Sequence, residues 1–400
     1  MSRMSSTPTI HSSLRSRFLP LYVAAFLQSC VFWYSSEKFF MSSIGFTSTT
    51  IGLMAASYSV IVLLVETPSG ILADRWSRRG ILIIAGFMLA ISSFIEGVSS
   101  SVPHYIIGAL FWGVYAALYT GMYDPIVYDT LVKDTGNTTD FKRYLGYIKA
   151  LDGLGLVVGS IAGAALAAHF GLRVPFCASI PLALISSVVL LFFKEPMLHK
   201  AEATQPVLAH TRAMFTQALH HSSIFGILLI LVLGVTLTEM IFEFTQLWLI
   251  AISTPVAYFG ISMAVVPSTV GLAGLLARHL QLENRKYVVI FTSIMFISGC
   301  LIIASPIAWL LVLAQSCIVI GLLSTGIIYL ERLHDRLPSN VRSGASSVVS
   351  TLGRMAFIGA AILFGTITEH YSVFNAAWLI TIPLFFICIY LYKETRYTRA

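Results

Sequence analysis

The sequence predicts an all-α polytopic membrane protein: twelve transmembrane helices in two pseudo-symmetric six-helix bundles. Three observations predict it. The 400 residues are 57% hydrophobic and 11% charged, with a mean hydropathy of +0.84, whereas about 25% of a soluble domain is charged. Long runs of Leu, Ile, Val, Ala and Phe recur along the whole chain, and short basic clusters separate alternate runs. So few charges cannot coat a water-facing surface without large apolar patches. The same composition excludes a disordered chain.

A helix needs about 20 apolar residues to cross the hydrocarbon layer. Such stretches lie at 18–40, 49–71, 80–100, 104–128, 144–168, 174–193, 223–249, 256–277, 287–304, 307–330, 342–367 and 372–392. None alternates with the period of two that marks a membrane β-barrel strand. Arg3, Arg15 and Arg17 precede the first stretch, and Arg75, Arg78 and Arg79 follow the second. Lys133, Lys142 and Arg143 follow the fourth, Lys194, Lys200 and Arg212 the sixth, and further clusters the eighth, tenth and twelfth. The opposite loops hold little beyond Lys38 and Arg173. Basic loops stay on the cytoplasmic side, which implies a plasma (inner) membrane protein with both termini in the cytoplasm. The formal charge of +7 thus serves orientation in the bilayer, and no nucleic-acid partner is expected.

The longest hydrophilic stretch is 194–222. The expected organisation is therefore an N-terminal bundle over 1–193, a cytoplasmic linker over 194–222 and a C-terminal bundle over 223–400. A shift of about 202–204 residues aligns Gly70-Ile71-Leu72-Ala73-Asp74 with Gly274-Leu275-Leu276-Ala277-Arg278. Nearly the same shift aligns Glu37 with Glu239, Asp129 with Glu331, and Asp152 with Arg354. One offset shared by several uncommon residues implies two homologous halves, a duplicated transporter layout.

The segment Gly70-Ile71-Leu72-Ala73-Asp74-Arg75-Trp76-Ser77-Arg78-Arg79-Gly80 resembles the signature loop of the major facilitator superfamily, G-x-L-a-D-r-x-g-r-[KR], with Ser77 where Gly is usual. The resemblance implies a secondary active transporter, functional as a monomer, that exposes a midplane site alternately to the two sides. It also implies that Gly70, Asp74, Arg75, Arg78 and Arg79 form a gate motif on the cytoplasmic side, and that spans 1, 4, 7 and 10 line a central cavity. Physically, Asp74 suits the positive end of a neighbouring helix. A purely topogenic loop would explain the arginines but not the Asp or the Gly spacing.

Gly146, Gly155, Gly159 and Gly163 fall at the spacing of the superfamily's antiporter signature, with Ser160 in place of its Pro and Ala164 in place of its last Gly. Gly155, Gly159 and Gly163 share one helix face, so close helix packing explains them as readily as an export motif. Proton-coupled drug exporters of the superfamily commonly carry an Arg in the fourth span. The matching position here is Ala109.

Ionisable residues at membrane depth face a cavity or a partner. Glu37, Glu239 and Glu243 are the candidate proton or substrate site, Glu239 and Glu243 lying one helical turn apart. Trp33, Tyr34, Tyr115 and Tyr119 would add apolar and cation–π contact. An interfacial position for Glu37 and Lys38, and a lipid-interface belt for the aromatics, are the alternatives. Glu66 and Arg354 are expected to pair across a moving interface, Lys149 to neutralise Asp152, and Asp124 and Asp129 to meet basic residues of the loops. A static salt bridge is the alternative for each.

The expected function is proton-coupled efflux of amphiphilic or cationic small molecules. The alternatives are import or facilitated diffusion of a small metabolite such as a sugar or amino acid, and a non-transporting sensor on a transporter fold. No G-x-S-x-G, H-E-x-x-H, P-loop or C-x-x-C motif occurs, so no enzyme is expected. The five cysteines lie in apolar runs without metal-type spacing, so neither a metal nor a cofactor is expected.

Overall fold

The computed structural model describes residues 7–196, 222–280, 282, 284–336 and 339–397. Most of the expected linker, 197–221, lies outside the described residues. Among the described residues the regular structure is helical, without strands. Helix α1 spans Thr7–Ser29, followed by a 3-10 turn at Phe32–Ser35 and a short α2 at Glu37–Ser43. Then come α3 (Ser48–Arg75), α4 (Arg78–Val98), α5 (Val102–Tyr119), α6 (Tyr123–Thr135), α7 (Phe141–Phe170) and α8 (Val174–Leu190). The remainder holds α9 (Ser222–Ala251), α10 (Val256–His279), α11 (Arg285–Ala304), α12 (Ala308–Arg336), α13 (Ser339–His370), α14 (Val373–Ala376) and α15 (Trp378–Tyr397).

Eleven of the described helical segments are long and apolar enough to cross a bilayer, and α8 is a shorter apolar helix of 17 residues. That length sits at the lower limit of about 17–25 residues for a span. The expected all-α membrane fold is thus met, with one span at minimal length. Large apolar side chains such as Leu64, Phe94, Phe192, Leu229, Ile297 and Trp309 are exposed. Lipid tails, which offer no hydrophobic penalty, are their natural solvent.

Two of the expected stretches are broken over several residues, and the twelfth at Ala377 alone, between α14 and α15. The first, read as continuous over 18–40, leaves the α-helix after Ser29 and re-enters it at Glu37. Ser35 donates its hydroxyl to the Phe32 carbonyl at 3.4 Å, the kind of local bond with which serine competes against a helix. The fourth, read over 104–128, breaks at Thr120-Gly121-Met122, where Gly121 takes φ +75°. Glycine adopts that conformation without a Cβ penalty. Pro125 lies in the first turn of α6, where a missing N–H costs no helical bond. Both interruptions lie inside apolar runs, so hydropathy passes over them.

The chain gathers into two compact units, the described residues of Met1–Ser35 with Val60–Ala203, and of Ser36–Ser59 with Thr204–Ala400. In the first unit α1 packs on α7 and α8, and α4 on α5 and α8. In the second, α9 packs on α13 and α12, α11 on α12 and α15, and α10 on α12. The pairs α1–α7, α4–α5 and α4–α8 recur as α9–α13, α11–α12 and α11–α15. Two internally similar helix bundles are the structural form of the sequence repeat.

Candidate functional site

The signature loop is held from both ends. Ser77, in extended conformation, N-caps α4 by accepting from the Gly80 amide at 2.8 Å. Glu195 then closes over the same helix end: one carboxylate oxygen accepts from the Ser77 hydroxyl at 2.5 Å and the Arg79 amide at 3.3 Å, the other from the Arg78 amide at 2.8 Å. An anion at a helix N-terminus satisfies orphan donors and the positive dipole end together. The Arg78 guanidinium pairs with Asp129 of α6, and Arg79 donates to the Phe193 carbonyl at 2.8 Å. Arg75 is exposed, Gly70 has open space where a Cβ would stand, and the Asp74 side chain lies outside the described residues. Glu195, which lies 118 residues beyond Ser77, carried no motif signal. Ser77, the departure from the family pattern, supplies a side-chain cap that glycine lacks. Ser77→Ala should therefore cost about 1 kcal/mol, and Ser77→Gly only a few tenths. Equal melting temperatures for the alanine variant and wild type would remove the cap from the account.

Glu37, Lys38, Tyr58, Glu239, Glu243 and Arg354 belong to the second unit. Lys38 is 1% exposed. Its ammonium lies 2.9 Å from Glu37 Oε2 and 2.5 Å from Glu243 Oε1, while Tyr58 donates to Glu243 Oε2 at 2.7 Å. Gln246, one turn along α9, accepts from the Lys38 amide at 3.1 Å. Glu37 and Glu243 together offset the cost of burying this ammonium. Glu239 is half-buried and within electrostatic reach of Arg354 on α13 and of Glu243. It makes no direct ion pair with Arg354. Glu37, Glu239 and Glu243 thus bring three carboxylates together with Lys38 and Arg354 in this unit.

The first unit holds a different arrangement. Asp152 of α7 accepts on Oδ1 from the hydroxyls of Ser29 and, at 2.5 Å, Tyr119. Tyr119 heads a ladder of rings: Trp112–Tyr115 at 5.1 Å, Tyr115–Tyr119 at 5.5 Å and Tyr119–Tyr123 at 5.5 Å. Tyr115 donates to the Gln28 carbonyl at 3.1 Å, and the Gln28 amide to the Leu82 carbonyl at 3.1 Å. Lys149, expected to neutralise Asp152, lies instead 3.7 Å from Asp124 with both side chains more than half exposed. An ammonium that turns to an exposed carboxylate keeps its hydration. Glu66 is half-buried and makes no ion pair among the described residues. Trp33 is 1% exposed, stacked on Phe176 at 5.4 Å and bonded to Ser93 at 2.9 Å. It is a packing residue of this unit. Tyr34 is half-buried.

The three stripe glycines lie against α1 and the turn that follows it. A Cβ would meet the Phe26 carbonyl oxygen at 2.3 Å from Gly155, the Val31 nitrogen at 2.9 Å from Gly159, and the Phe32 oxygen at 1.7 Å from Gly163. Backbone thus touches backbone, as small residues permit between membrane helices. A groove of about 940 Å³ between α10 and α12 is lined by Tyr258, Ser262, Trp309, Ser316 and apolar neighbours. It holds no charged residue and none of the sequence-predicted site.

The family pattern described as Major Facilitator Superfamily matches residues 18–351. Multidrug resistance protein 2 of Bacillus subtilis (strain 168) is 27% identical over 173 residues, which are 43% of this chain and 42% of that protein. The match thus spans less than half the length of this relative. Among solved structures, the nucleoside transporter NupG superposes with a TM-score of 0.73 at 18% identity, covering 94% of this chain and 98% of that one. A D-xylose-proton symporter superposes with a TM-score of 0.69 at 14% identity, covering 95% and 99%. With the signature loop, the repeated bundles and a family match over most of its length, the chain belongs to the Major Facilitator Superfamily and is a multi-pass membrane protein.

Proposed function

We propose that the protein exports amphiphilic, cationic small molecules in exchange for protons, by alternating access, as a monomer. The observation that carries this reading is the gathering of three carboxylates, Glu37, Glu239 and Glu243, with Lys38 and Arg354 inside one helix bundle. Carboxylates buried close together repel one another, and each is costly to desolvate unless positive charge joins it. The cluster therefore favours one added positive charge, either a proton or a monovalent cation, and the two compete. Competition for one site is what exchange requires: a proton arriving from one side displaces the cation bound from the other. The name of the Bacillus subtilis relative, a multidrug resistance protein, supports the same direction.

Proteoliposomes with an imposed pH gradient test this reading. A cationic dye should move against the proton flow in wild type, and Glu239→Gln, which removes one of the three carboxylates, should abolish the dependence on the gradient. Glu37→Gln should do the same. Dye movement indifferent to the gradient, or wild-type dependence in both variants, would end the proposal.

A further inference from the structure

We propose that the groove between α10 and α12 binds an uncharged amphiphilic small molecule, with the hydroxyl of Ser316 donating to an acceptor on it. The groove lies wholly within the second unit, and its shape follows from how the two helices meet. Ser324 of α12 donates to the Ala273 carbonyl of α10 at 3.0 Å, and both residues are fully buried, so the helices touch there. Tyr258 and Trp309 lie equally far before that contact on their helices, about 22 Å along the axis at 1.5 Å per residue. They are 60% and 67% exposed. Pro267 stands between the two ends and removes one ladder bond of α10, which bends a helix. The result is a slot closed at one end and open at the other. Its volume of about 940 Å³ falls within the range of about 300–1,000 Å³ usual for small-molecule sites, which are mostly apolar with a few placed polar groups.

Charge decides the first property of the occupant. No Asp, Glu, Lys or Arg lines the groove, and the loops at its open end, Ser253-Thr254-Pro255 and Ser305-Pro306-Ile307, carry none. A charged molecule would lose its water there with nothing to answer it. Ser316 decides the second. It lines the groove at 5% exposure, and its hydroxyl has no hydrogen-bond partner among the described residues. Its neighbours are already bonded: Ser262 donates to the Tyr258 carbonyl at 3.2 Å, and Thr269 to the Val266 carbonyl at 2.5 Å. An unmade hydrogen bond is expensive where no water reaches. The Ser316 hydroxyl turns about one bond between staggered positions, so an acceptor lying in the groove can take it. A lipid tail cannot supply that acceptor. Trp309, in the first turn of α12, sits where membrane helices place tryptophan, at headgroup level. Ser316 is about 10 Å farther along the axis at 1.5 Å per residue, among hydrocarbon and below the ester groups. The molecule that fits has an apolar body, an oxygen acceptor set well inside it, and a surface for the Tyr258 and Trp309 rings at the open end. This site is separate from the carboxylates around Lys38 and stands whether or not they exchange cations.

A photoreactive ketone tests this: 4-octyloxybenzophenone, uncharged and with a carbonyl inside its apolar body, irradiated with the purified full chain in lipid nanodiscs. Labelling mapped by mass spectrometry should saturate on α10 and α12 in wild type. Ser316→Ala should raise the half-saturating concentration about fivefold while the melting temperature stays level or rises, because a buried unpartnered hydroxyl is removed. A merely structural serine would move the melting temperature and leave saturation alone. Leu313→Trp fills the groove from a position 52% exposed, and should cut labelling of both helices by about tenfold or more through steric exclusion. Phe386→Trp, at a 60% exposed position of α15 outside the groove, should label as wild type does. Labelling that rises linearly with probe and spreads over the exposed faces of all helices is ordinary lipid contact and would overturn the site. Saturation unchanged in both Ser316→Ala and Leu313→Trp would do the same. Full displacement of the probe by a hundredfold excess of tetraphenylphosphonium would overturn the uncharged class.

Discussion

Lys38→Met should destabilise the detergent-solubilised protein by about 3–5 kcal/mol, the usual cost of removing one partner from a buried ion pair. The reason lies in what the substitution leaves behind. Methionine fills much the same volume, so packing changes little. Glu37 and Glu243, however, lose the ammonium that sits 2.9 and 2.5 Å from them. Tyr58 still donates to Glu243 at 2.7 Å, but one neutral hydroxyl does not replace a full charge. Adding Glu243→Gln to Lys38→Met should recover part of the loss, because one stranded anion disappears. Unfolding midpoints of the single and double variants check this, and the sign of the coupling is the decisive quantity. If the methionine variant melts with wild type, or the second change makes matters worse, these carboxylates are not held by Lys38.

Gly163→Ala should be the most damaging alanine substitution in α7. Its Cβ would stand 1.7 Å from the Phe32 carbonyl oxygen, a backbone atom that no rotamer change can move. Overpacking of this kind costs about 1–3 kcal/mol, and more where the neighbour is rigid. Gly155 meets Phe26 oxygen at 2.3 Å and Gly159 meets Val31 nitrogen at 2.9 Å, so their losses should fall in that order below it. Gly153, on the same helix, has nothing within 4 Å of an added Cβ. There alanine should be neutral or stabilising by up to about 1 kcal/mol through helix propensity. Melting temperatures of the four variants give the ranking. A Gly163→Ala protein as stable as Gly153→Ala would show that α7 does not seat against the turn at Phe32.

The two predictions concern features that differed in visibility. The glycine stripe was legible because its period alone places it on one helix face, and only the identity of the opposing backbone was missing. Glu37 and Glu243 were legible as costly charges at depth, but their shared partner was not. Lys38 could be read as an interfacial residue, since nothing in the local sequence says that α2 turns its second residue toward α9. Asp152 shows the same limit more sharply. Spacing offered Lys149 three residues away, yet the carboxylate is met by Ser29 and Tyr119, and Lys149 goes to Asp124. Glu195 had no spacing to recommend it and still closes the N-terminus of α4.

By itself the sequence determined the class of solvent, the placing of the apolar stretches, the internal duplication and the family. Each of these follows from quantities that add along the chain: apolar length per helix, charge per loop, and one repeat offset. Only the tertiary structure decided where the first and fourth stretches break, which charge answers which, and which aromatics pack in the core. Those depend on groups far apart in sequence meeting in a medium that leaves no polar atom cheaply unpaired. A one-dimensional pattern registers that a buried charge needs a partner, but the partner is chosen by the packing of helices.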